Sequence, residues 1–115
     1  MDARQLREEA EKLRRTAESR HKEAGRFQTN ADSHAQDGDD VRADVDIKQA
    51  ERLESEAANM EQQADQLDLT LTAVTARAHD LTKEREKLES EYKARIADID
   101  KELQRLTGGV SATFL

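Results

Sequence analysis

The sequence predicts an all-α fold: an antiparallel coiled-coil hairpin with alanine-rich packing and a long second helix. Three observations carry that expectation. The 115 residues include no proline and only four glycines. Charged residues make up 39% and hydrophobic ones 35%, with 3% aromatic, too little apolar mass for an ordinary globule but typical of long paired helices. Apolar residues then recur at alternating steps of four and three along most of the chain, the spacing of a coiled-coil seam.

Helix 1 is expected over about residues 3–35. Asp2 can cap its free amides, and Gln5 stands where the reciprocal partner of a capping box belongs. Its seam runs Leu6, Ala10, Leu13, Ala17, Arg20, Ala24, Phe27, Ala31, His34, with charged residues at nearly every other position. A helix this polar is not stable alone, so the seam requires a partner.

The turn is expected at residues 36–40. Gly38 suits the left-handed residue that ends a helix, and Asp39 or Asp40 suits the start of the next. It is the only strong turn signal between the two ends, so the chain forms one hairpin. Helix 2 then runs over about 41–107, with a seam through Ala50, Leu53, Ala57, Met60, Ala64, Leu67, Leu71, Val74, Ala78, Leu81, Arg85, Leu88 and Tyr92. Beyond Tyr92 it slips by one step to Ile96, Ile99, Leu103 and Leu106, a stutter that locally unwinds a coiled coil without ending it. Thr70 and Thr72 lower helix propensity, and a break near 68–72 would give a three-helix bundle instead. Gly108 is the expected terminal cap. Residues 108–115 read as an apolar tail in which Val110, Phe114 and Leu115 could engage a groove or sheet edge.

Folding at the turn sets small residues against small ones: Ala24 near Ala50, Ala17 near Ala57, Ala10 near Ala64. Larger residues meet likewise, with Phe27 near Ile47, Leu13 near Met60 and Leu6 near Leu67. Columns of methyl side chains let two backbones approach closely. Charge agrees. Residues 1–35 hold eight Lys/Arg against seven Asp/Glu, and residues 36–72 hold three against eleven, so the paired segments attract. Residues 73–107 hold eight of each.

At ~1.5 Å per residue helix 1 would span about 50 Å and a continuous helix 2 about 100 Å, so the hairpin covers only the first half of helix 2. The remaining seam (Leu71, Val74, Leu81, Leu88, Tyr92, Ile96, Ile99, Leu103, Leu106) is the predicted interaction surface, and a dimer or higher homo-oligomer is the predicted state.

Candidate chemistry is sparse. His21, His34 and His79 make no HxxxH or HExxH pair, and no cysteine is present, so no metal, catalytic or cofactor site is expected. The acidic turn (Asp37, Asp39, Asp40, Asp44) lacks the ligand order of a calcium loop. Gly38-Asp39 followed by Ala43-Asp44 resembles, over about ten residues, the hairpin tip of Gre-type transcript-cleavage factors. That resemblance implies a regulator whose acidic tip enters RNA polymerase and helps hold magnesium. The chain departs from that family in lacking its globular second domain and in carrying Val45 where the tip aromatic stands. The size and the turn near residue 40 also resemble small helical-hairpin partners of type VII secretion, without their Trp-x-Gly signature or their Tyr-plus-acid export motif, since Tyr92 is followed at that spacing by Ile96.

The expected function is therefore non-enzymatic: a scaffold, assembly or chaperone-like adaptor that binds protein. Its net charge of −7 disfavours nucleic acid. No apolar run suits a membrane span or a secretory leader, and a cytoplasmic location is the expectation.

Overall fold

A computed structural model describes residues 1–109; the predicted tail residues Val110, Phe114 and Leu115 lie outside the described residues. Two helices account for the fold, α1 (Ala3–Gln36) and α2 (Asp40–Thr107). The chain divides into two units, Met1–Thr75, which holds the hairpin, and Ala76–Leu115, which holds the rest of α2.

The helix ends follow the local chemistry. Asp2 accepts a hydrogen bond from the Gln5 amide at 2.8 Å, and Gln5 Oε1 accepts from the Asp2 amide at 2.9 Å, closing the capping box. At the other end of α1, Gly38 takes φ 79°. Its amide donates to the Ala35 carbonyl at 3.1 Å, and the Asp39 amide donates to the His34 carbonyl at 2.8 Å. These are the paired bonds of a Schellman motif, and they satisfy carbonyls that the helix itself leaves open. One residue later Asp39 caps α2 by accepting from the Arg42 amide at 3.1 Å. Gly108, at φ 63°, closes α2 with a 2.9 Å bond from its amide to the Gln104 carbonyl.

α2 does not break at the threonines. Thr70 and Thr72 donate their hydroxyls to the carbonyls of Gln66 and Asp68, at 3.1 and 3.0 Å. Each polar group is thus satisfied inside the helix rather than by a turn. The three-helix alternative is excluded, and the fold is the antiparallel hairpin.

Within the Met1–Thr75 unit the core is a double column of alanines. Ala10, Ala17, Ala24 and Ala31 on α1 and Ala43, Ala50, Ala57 and Ala64 on α2 are all 5% exposed or less. Both columns step by one heptad, so running antiparallel they stay in phase along the whole pairing. The second column, expected to begin at Ala50, starts one heptad earlier, where Ala43 answers Ala31. Leu6 and Leu53 are the buried large residues, whereas Leu13, Phe27, Met60 and Leu67 are half-buried beside the alanine axis. Close backbone approach explains this division: a methyl fits between the helices, and a longer side chain is directed outward along the groove. Phe27 packs on the Ala24, Ala50 and Leu53 cluster, while its expected neighbour Ile47 stays more than one-third exposed.

Candidate protein-interaction surface

The apolar positions of α2 change character past Leu71. Leu71 is half-buried, and every larger seam residue after it is exposed, from 36% for Val74 to 68% for Tyr92. Leu81, Leu88, Ile96, Ile99, Leu103 and Leu106 fall between those values. The cause is length. α1 has 34 residues and α2 has 68, so α1 has no residue left to set against the second half of its partner. The seam residues named from sequence therefore lie together on one helix as an uncovered stripe. Surface of this kind is costly to leave in water at roughly 25 cal/mol per Å².

Charges flank both halves differently. In the hairpin every interhelical charge contact among the described residues sets a basic side chain of α1 against an acidic one of α2. Arg14 bridges Asp65 (3.1 Å) and Asp68, Arg20 reaches Glu56 at 3.4 Å, and His34 reaches Asp46 at 3.5 Å. His21 bridges two carboxylates of α2 at once. Its Nδ1 lies 2.5 Å from Glu54 and its Nε2 2.8 Å from Glu61. Two carboxylates can accept from both ring nitrogens only if both carry protons, so the geometry favours imidazolium. The bond to Glu61 and then that to Glu54 raise the His21 pKa above its usual 6.5, against a smaller opposing effect of desolvation. His spacing alone excludes a metal pair at His21 and does not point to this bridge. The available signal was its place beside the seam, with two glutamates one heptad apart on the opposing helix.

The acidic turn is largely committed to its own chain. Asp37 ends α1, Asp39 caps α2 and also pairs with Arg42 at 3.3 Å, and Asp44 pairs with Lys48 at 3.0 Å. Asp40 sits in the first turn of α2, where a helix N-terminus favours negative charge. Val41 and Val45, 77% and 54% exposed, form a small apolar face at the start of α2 that the seam pattern does not include. Among the described residues no group of three or more His, Asp or Glu side chains is arranged to hold a metal ion. No helix among them is long and apolar enough to cross a membrane.

Fold and surface together define a class: an antiparallel, alanine-zipped coiled-coil hairpin whose longer helix carries an open seam. No family model matches the chain, and neither the curated proteins nor the solved structures yield a match.

Proposed function

We propose that this chain is a non-enzymatic structural or adaptor protein, a scaffold, assembly or chaperone-like factor of the cytoplasm. It acts by helix-to-helix association and self-associates through the second half of α2. The observation that supports this reading is the uncovered stripe from Val74 to Leu106, all of whose large apolar residues are at least 36% exposed. The hairpin half of the molecule meets its own needs, with alanine columns buried and α1 cations matched to α2 anions. The other half leaves a complete seam open, and association is the way such a seam leaves water. The acidic turn supports a tip-insertion role less well, because Asp39 and Asp44 already cap or pair within the hairpin.

The test is solution mass by light scattering across micromolar concentrations, for the wild-type chain and for Leu81→Glu and Leu88→Glu. The wild type should be larger than a monomer, and each variant should be monomeric with helix content retained in the hairpin. A monomeric wild type throughout that range would refute self-association. Neutralising Asp39, Asp40 and Asp44 together should leave the oligomer intact.

A further inference from the structure

We infer that the open stripe is built to receive the same stripe of a second copy, antiparallel and in one particular register. The inference rests on the self-association proposed above and specifies its geometry. The stripe begins in the heptad register of the hairpin, with Leu71, Ala78 and Arg85 at a positions and Val74, Leu81 and Leu88 at d. After the stutter the labels exchange: Ile96 and Leu103 are a, and Tyr92, Ile99 and Leu106 are d. Layers of an antiparallel coiled coil join a of one helix to d of the other. One alignment satisfies this on both sides of the stutter. Leu71 lies opposite the partner's Leu106, Val74 opposite Leu103, Ala78 opposite Ile99, Leu81 opposite Ile96 and Arg85 opposite Tyr92, with the two-fold axis between Leu88 and Glu89 and the two Leu88 side chains flanking it. Outside the axis, where Glu89 lies beside Leu88, all but the Arg85–Tyr92 layer are wholly apolar, and that one sets a cation against an aromatic ring.

Charge selects the same alignment. In an antiparallel pair the g positions, each just before an a position, face the partner's g positions. Here the charged ones are Arg77, Glu84, Arg95 and Glu102. The alignment sets Arg77 against Glu102 and Glu84 against Arg95, and symmetry repeats each pair. A slip of one heptad one way sets Arg77 against Arg95; the other way it sets Glu84 against Glu102. A parallel, in-register pair would stack Arg85 on Arg85 and bring Glu84 to Glu89. Arg77, Glu84 and Arg95 have no ion-pair partner among the described residues, whereas Glu102 is engaged with Arg105 on its own helix at 2.5 Å. The polar centre fits as well. Glu89 enters the seam at the axis, 3.8 Å from its own Arg85 and one turn from the layer that receives the partner's Arg85. A buried polar element of this kind fixes register.

The chain lacks cysteine, which makes the test direct. Full-length Leu81→Cys and Ile96→Cys chains, one carrying a mass tag, are mixed and oxidised, and the disulfide products are identified. The expected product is the 81–96 heterodimer, well above either homodimer. Separately, Glu84→Arg should raise the dimer dissociation constant roughly tenfold, because two attractive pairs become repulsive. Glu84→Arg combined with Arg95→Glu should restore it, with circular dichroism reporting that each chain folds. Oligomers whose cross-links are 81–81 or 96–96, or a charge-swapped chain no tighter than Glu84→Arg, would overturn this register while leaving self-association standing. A wild-type monomer at tens of micromolar would overturn both, and would leave the stripe to a different protein.

Discussion

Ala57→Leu tests the packing argument most severely, because two physical effects of similar size predict opposite signs. Ala57 is 0% exposed and faces the α1 column, where Ala17 is also 0% exposed. If the interhelical space could accept a larger side chain, the three added carbons would stabilise the hairpin by about 2 kcal/mol at ~0.8 kcal/mol per buried methylene. If the backbones are held close by facing methyl groups, the same carbons must push the helices apart. Overpacking of that kind costs roughly 1–3 kcal/mol, and here it would also strain the neighbouring Ala50 and Ala64 layers. The close-packed alternative is the one the structure supports, since eight of the ten buried hydrophobic positions among the described residues, and both members of the Ala17–Ala57 layer, are alanines. Urea unfolding followed by far-UV circular dichroism gives the answer, with the adjacent exposed Ala58→Leu as the control. Ala57→Leu should lower the midpoint without changing the slope, and Ala58→Leu should stay within about 0.5 kcal/mol of wild type. An Ala57→Leu chain as stable as wild type, or more so, would refute the alanine-column account.

Other outcomes follow from the same structure. Gly38→Ala forces a side chain into φ 79° with nothing within 4 Å to clash, so its cost is backbone strain alone, about 1–2 kcal/mol in chemical denaturation. Gly25 lies in mid-helix with no atom within 4 Å of an added Cβ, so Gly25→Ala should stabilise by about 1 kcal/mol in the same assay. Removing the α2 cap with Asp39→Ala should cost about 1 kcal/mol, visible as a lower thermal midpoint. The His21 bridges make stability depend on pH. Because the folded pKa is raised, their contribution is complete below the usual 6.5 and is lost as pH rises through the folded value. His21→Gln should flatten the pH–stability profile between 6.5 and the raised folded value, and an unchanged slope there would count against the double-glutamate geometry.

The sequence by itself determined the helices, their caps, the single turn at Gly38 and the heptad seams. These depend on local backbone chemistry and on spacing along one helix, both of which a linear string records. It also implied the antiparallel pairing, since a polar seam-bearing helix joined to another by a short turn has its partner at hand. Tertiary structure decided the remainder. The helix runs on through Thr70 and Thr72, whose hydroxyls donate to the carbonyls one turn back, where β-branching alone had left a break open. The demotion of Leu13, Phe27 and Met60 to half-burial beside fully buried alanines depended on how near the two backbones come. Ala43 joined the column only because the helices stay in phase as far as the turn. His21 between Glu54 and Glu61 is a contact between positions 33 and 40 residues away in sequence; the heptad spacing of the two glutamates hints at it, but only the packing of the helices brings the ring between them. The open seam belongs to both levels. Spacing placed its residues in line, and the unequal lengths of α1 and α2 left them exposed.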